Sequence, residues 1–182
     1  MAHIAHLCHL ARRFVGSLIA SEVSDDDRNW VLSQLSEPEA DVWTEMSTAD
    51  QNHSLGVARG VVDELAANDR WDVVPQNEMV AAALLHDSGK TASGLNTLAR
   101  VAATLVWAMA PDTKADEWAA TKQGIRRRMG QYRLHPDIGA RRLEALGSAA
   151  FVVGWVRDHH QPRSQWTIPV QAGDVLRRCD ND

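Results

Sequence analysis

Ala81-Ala82-Ala83-Leu84-Leu85-His86-Asp87-Ser88-Gly89-Lys90 is an apolar run that ends in an imidazole beside a carboxylate, then a small residue, a glycine and a lysine. Asn77 reads as the cap of a very apolar helix over Glu78–His86, and Gly89 as its stop. A helix this apolar is buried, so it delivers His86 and Asp87 side by side at a buried C-terminal end. An unpaired carboxylate in such a place is costly. Asp87 therefore needs a cationic partner or must titrate. A metal ion meets that need economically, because a carboxylate can bridge two cations and histidine is a borderline ligand for divalent transition metals.

The periodicity on either side is helical nearly throughout. Ile4, Leu7, Ala11, Val15, Leu18 and Ile19 form one stripe, predicting an amphipathic helix over residues 3–20. Ser24 is the expected N-cap of a helix reaching Leu35, with three aspartates in its first turn. Ser36-Glu37-Pro38 starts another. Thr48–Ala67 reads as a longer helix with His53, Val57, Val61 and Leu65 on one face. Thr97–Met109 and Ala115–Arg128 read as two more, and Gly130–Leu134 as a connector. Pro136 opens a helix ending at Gly147, Ser148 caps one running to about His160, and Pro169 opens the last. No alternating strand pattern occurs. The expected fold is an all-α bundle.

Composition narrows the function classes. With 182 residues, 45% apolar and 24% charged, the chain is long enough for one domain with a real core, not a disordered or disulfide-stapled one. A net charge of −5 argues against a primary nucleic-acid binder. Two cysteines, Cys8 and Cys179, suit a reducing compartment. No apolar run reaches the length of a membrane span, and no signal peptide is read, so a cytoplasmic protein with no membrane partner is expected.

The histidines are the remaining signal. His3, His6 and His9 read as a solvated terminus. His53, His86, His135, His159 and His160 sit at or near helix ends or on an apolar face, where converging helices can each supply a ligand. On the last helix Ala172, Val175, Leu176 and Cys179 form the apolar stripe. Of the late aspartates Asp174, Asp180 and Asp182, at about 100° per residue Asp174 points away from that stripe and Asp180 lies at its flank, which favours Asp180 as a candidate acid. The seven tryptophans, Trp155 and Trp166 among them, read as packing residues.

The ordered set His53, His86-Asp87, His135, His159-His160 and a late aspartate resembles the HD-domain metal-dependent phosphohydrolase superfamily. His86-Asp87-Ser88-Gly89-Lys90 looks like that family's HD-x-G-K segment. His135-Pro136-Asp137-Ile138-Gly139 resembles its HP-x-x-G segment, and Arg157-Asp158-His159-His160 its paired-histidine segment. The resemblance covers residues 48–182 and leaves residues 1–47 as an N-terminal helical extension. It implies an HD-type helical bundle and a binuclear centre. His53, His86, Asp87 and Asp180 would bind the first metal; Asp87 would bridge to a second, held by His135, His159 and His160. It also implies two divalent ions (iron, manganese, nickel or cobalt) that activate water for attack on phosphorus. Asp87 and Lys90 then become the catalytic candidates. Lys90, with Arg128 and Arg133, would bind the phosphate of a phosphomonoester, phosphodiester or nucleotide substrate. The Gln161-Pro162-Arg163-Ser164 that follows the paired histidines departs from the cyclic-dinucleotide HD-GYP type. Two other readings remain at this stage: an HD-fold di-iron oxygenase of the myo-inositol oxygenase kind, and a non-catalytic nucleotide-binding regulatory module.

Overall fold

The computed structural model describes residues 21–68, 71–111 and 113–180. The helix expected over residues 3–20, and Cys8 within it, lie outside the described residues. Among those described there are ten α-helices and no strand. They are α1 Asp25–Gln34, α2 Glu37–Thr44, α3 Thr48–Ala66, α4 Gln76–Leu85, α5 Thr97–Trp107, α6 Lys114–Ala119, α7 Ile125–Arg133, α8 His135–Ala145, α9 Ala150–Asp158 and α10 Val170–Asp180. Two short 3-10 helices, Ser88–Ser93 and Arg163–Gln165, follow α4 and α9. No described helix is long and apolar enough to cross a membrane.

The helix starts follow local chemistry. Ser24 accepts the backbone N–H of Asp27 at 3.2 Å, and Ser47 that of Asp50 at 3.2 Å. The backbone N–H of Ser36 donates to the Glu39 carboxylate at 3.0 Å, the return arm of a capping box. Helix α4 lies at the centre. Every residue from Met79 to Leu85 is buried, and it packs against α3 and α9. Val57, Val61 and Leu65 carry the buried stripe of α3. Val31 of α1 and Val42 and Trp43 of α2 belong to the same apolar cluster as α4 and α9. The sequence division at residue 47 therefore does not divide the core.

Several boundaries differ from the sequence expectation. Pro75, not Asn77, precedes α4. The single helix expected over Ala115–Arg128 is two helices, because Gly124 takes φ +95°, a conformation closed to most L-residues. The expected connector Gly130–Leu134 is mostly helix, since α7 runs to Arg133. Gly130 serves close packing there: a Cβ would collide with the Ala119 backbone and sit 2.8 Å from the Ala115 carbonyl. Helix α9 ends at Asp158, and His159 and His160 occupy the turn after it. Ser148 does not cap it; Ala149 precedes the helix, with no side-chain cap.

Candidate metal centre

The fold brings seven side chains from distant positions to one point. Helix α3 carries His53, the end of α4 His86, and the following turn Asp87. The first turn of α8 carries His135, the turn after α9 His159 and His160, and the last turn of α10 Asp180. They form two groups, His53–His86–Asp180 and Asp87–His135–His159–His160, and within each the donor atoms lie within 4.8 Å of one another.

Asp87 stands between the groups. Its Oδ2 lies 3.4 Å from His86 Nε2, while its Oδ1 lies 3.4 Å from His135 Nε2 and 3.7 Å from His159 Nε2. Asp180 Oδ1 lies 2.8 Å from His53 Nε2 and 3.6 Å from His86 Nε2. Two ligands on one ion, each bonded at about 2.1 Å, are separated by roughly 3.0–3.4 Å. The observed spacings, 2.8 to 3.7 Å, straddle that scale. The arrangement is closed around His86, which is 1% exposed, and opens through His53 and His160.

The backbone sets the imidazole tautomers. His86 Nδ1 meets the Ala83 carbonyl at 2.8 Å, His135 Nδ1 the Tyr132 carbonyl at 2.8 Å, and His159 Nδ1 the Val156 carbonyl at 2.9 Å. A carbonyl can only accept, so each Nδ1 carries a proton and donates it three residues back. In the neutral ring this leaves Nε2 as a lone pair aimed at the carboxylates. All three Nε2 atoms are buried without a hydrogen-bond partner. Buried polar atoms left in that state are costly, and outer partners on Nδ1 are how proteins orient metal-binding histidines. The donor set therefore fits divalent transition metals, and Asp87 has one oxygen toward each group.

Electrostatics follow from the same crowding. Burial opposes a charge on His86, but Asp87 and Asp180 outweigh it and raise its pKa to about 9. Burial would raise the carboxyl of Asp87, yet Lys90 and His86 hold it well below the ordinary value. Burial lowers His135 to about 4, with Lys90 and His159 adding to the effect against the pull of Asp87. His160 is pushed down by desolvation and by its neighbours; its ring centroid lies 4.1 Å from that of His159 and 5.2 Å from that of His135.

The cationic candidates are placed differently. Lys90 Nζ donates to Asp87 Oδ2 at the edge of the cluster. Arg128 is turned elsewhere: it donates to the carbonyls of Ser93 and Gly94, closing the end of the first 3-10 helix. Arg133 is exposed at the end of α7, two residues before His135. Asp174 pairs with Arg163 at 2.8 Å on the surface, away from the cluster.

Gly89, expected only as a helix stop, and Gly139 have a further role in close packing. A Cβ on Gly89 would collide with the His135 carbonyl and sit 2.7 Å from the Gly139 nitrogen. A Cβ on Gly139 would sit 3.0 Å from the Gly89 nitrogen. The segment carrying Asp87 thus touches α8, which carries His135, backbone to backbone. The equal presence of glycine in both local motifs was the only sequence signal for this contact. The chain matches no protein-family model, no curated protein and no solved structure, so the reading of this centre rests on its own geometry.

Proposed function

We propose that this chain is a metal-dependent phosphohydrolase of the HD type, cleaving a phosphomonoester or phosphodiester, with nucleotides the first class to test. The observation that carries the reading is Asp87, a buried carboxylate with one oxygen toward each of two histidine groups. His53, His86, Asp87 and Asp180 would hold one ion, and Asp87, His135, His159 and His160 the other. Such ions, when bound, supply Lewis acidity toward phosphoryl oxygens and lower the pKa of water.

The chain's own residues then divide the remaining work. Asp87 and Asp180 bring two negative charges, half of what two divalent cations carry, so a loaded site stays positive and favours an anionic substrate. The three Nδ1–carbonyl bonds keep the imidazole lone pairs aimed inward without reorganisation. Lys90, at the edge of the cluster, supplies a compact positive charge for a phosphate oxygen. Arg133 is the second candidate for that role. The openings at His53 and His160 admit substrate while the His86 side excludes water.

The test is metal quantification on protein purified without chelator, combined with a panel of nucleotides and other phosphoesters assayed with Fe, Mn, Ni and Co in turn. We expect about two metal equivalents and hydrolysis of at least one phosphoester. His86→Ala and Asp87→Ala should lose both metal and activity, and Asp180→Asn should lose far more metal than Asp174→Asn. Metal-loaded protein that cleaves no phosphoester, or that consumes dioxygen with an organic substrate, would overturn the hydrolase reading. Protein without metal at neutral pH would overturn the metal centre itself.

A further inference from the structure

The turn after α9 must hold His159 and His160 in place although it has left the helix. Five hydrogen bonds tie it to other parts of the chain. Asp158 is 3% exposed and accepts both the backbone N–H of Thr167, at 2.5 Å, and its hydroxyl, at 2.7 Å. Trp166 Nε1 donates to the Gln161 carbonyl at 3.1 Å. Arg177 donates from one nitrogen to the His159 carbonyl at 3.3 Å and the Gln161 carbonyl at 2.6 Å. A cation on carbonyls at a helix C-terminus is favourably placed against the helix dipole.

Arg177 belongs to α10, one turn before Asp180. One end of that turn therefore holds the backbone of the second histidine group, and the other supplies an acid to the first. Its guanidinium carbon sits 4.4 Å from the centroid of Trp166, which stacks edge-on against Trp155 at 5.6 Å. Trp166 can lie there because Gly173 leaves room: a Cβ on Gly173 would come within 2.5 Å of the ring. Ile168 is seated likewise against Gly154, where a Cβ would come within 2.7 Å. The strap over residues 161–169 is thus wedged between α9 and α10.

We propose that Arg177, backed by Trp166, is a positioning residue that sets the His159–His160 turn against Asp180 and so fixes one cation group relative to the other. Arg177 touches neither group's donor atoms; it acts through the His159 and Gln161 carbonyls. The proposal rests on the two-metal reading of the centre.

The experiment is calorimetric titration of chelator-stripped, full-chain protein with Mn2+ alone, together with electron paramagnetic resonance of the loaded forms. For wild type we expect two equivalents and a spectrum of magnetically coupled Mn2+. For Arg177→Met we expect one equivalent bound as before, the second weakened about 10–100-fold, the usual cost of losing an outer partner, and loss of the coupled signal. Arg177→Lys can still reach one carbonyl and should recover part of the second affinity. Gly173→Ala displaces Trp166 while keeping Arg177, and should also weaken the second equivalent selectively; it keeps the test available if Arg177→Met fails to fold. Two tight, coupled equivalents in a folded Arg177→Met or Gly173→Ala would overturn the positioning role and leave the centre standing. Fewer than two equivalents in wild type would overturn the two-metal reading and this proposal with it.

Discussion

His86 and His135 are both buried imidazoles facing Asp87, yet their proton affinities move in opposite directions. His86 faces two carboxylates and rises to about 9; His135 faces one, with Lys90 and His159 nearby, and falls to about 4. Linkage turns this into a stability profile for the metal-free protein. The raised pKa of His86 contributes stability that is complete below about 6.5 and is lost as pH rises toward 9. The lowered pKa of His135 contributes stability that is complete above about 6.5 and is lost as pH falls toward 4. Metal-free protein should therefore melt highest near pH 6.5 and lower on both sides. Bound cations displace the His86 proton, so loading should flatten the alkaline side. Melting temperature against pH from 4.5 to 9, with and without chelator, checks this; an unchanged alkaline limb on loading would refute it. These shifts depend on which charges converge and could not be read from the sequence. The residues that converge could be anticipated in the sequence, because each lies at a helix end or on an apolar face. Arg128 could not be placed: a basic run looks the same whether it meets substrate or, as here, the Ser93 and Gly94 carbonyls.

Among the elements, helix type was legible and glycine function was not. Gly89 and Gly130 looked like a stop and a connector because local sequence shows only a missing side chain. The structure uses both for close approach, and the reason lies on a partner far away in sequence. Gly124 is the one whose backbone conformation breaks a helix expected to be continuous. The difference predicts contrasting alanine variants. Gly89→Ala must push the Asp87 segment off α8, because the obstructing atoms are backbone. It should cost about 1–3 kcal/mol or more and most of the metal affinity. Gly56→Ala on α3 meets nothing within 4 Å and should stabilise by about 0.5–1 kcal/mol through helix propensity. Urea denaturation of both variants, with metal counts, checks the pair. A Gly89→Ala protein that keeps full stability and metal would remove the close contact from the argument.

At the scale of the whole molecule, the candidate centre fastens together α3, α4, α8, α9 and α10, which are separated by up to 127 residues between His53 and Asp180. Ions bound there stabilise the folded chain by mass action, about 2.7 kcal/mol for each site at a free concentration one hundred times Kd. For a chain of this size each kcal/mol moves the melting temperature by roughly 2–4 °C. Chelation should therefore lower it by about 5–10 °C for each ion removed, roughly 10–20 °C for two, and re-addition of Mn2+ should restore it. A melting curve indifferent to chelator, on protein shown to have held metal, would contradict that coupling. The α9–α10 strap was not legible beforehand, since Asp158, Trp166, Arg177 and Gly173 each look ordinary where they stand in the chain.

The bond between Lys90 and Asp87 has a bearing on how such a protein matures. An acid kept company by an ammonium group does not have to await an ion before the polypeptide can collapse around it. The scaffold can thus be assembled first and charged with cations later. On the proposed two-cation reading, both Asp87 oxygens would serve those cations and the Lys90 ammonium would exchange its Asp87 partner for an incoming anion.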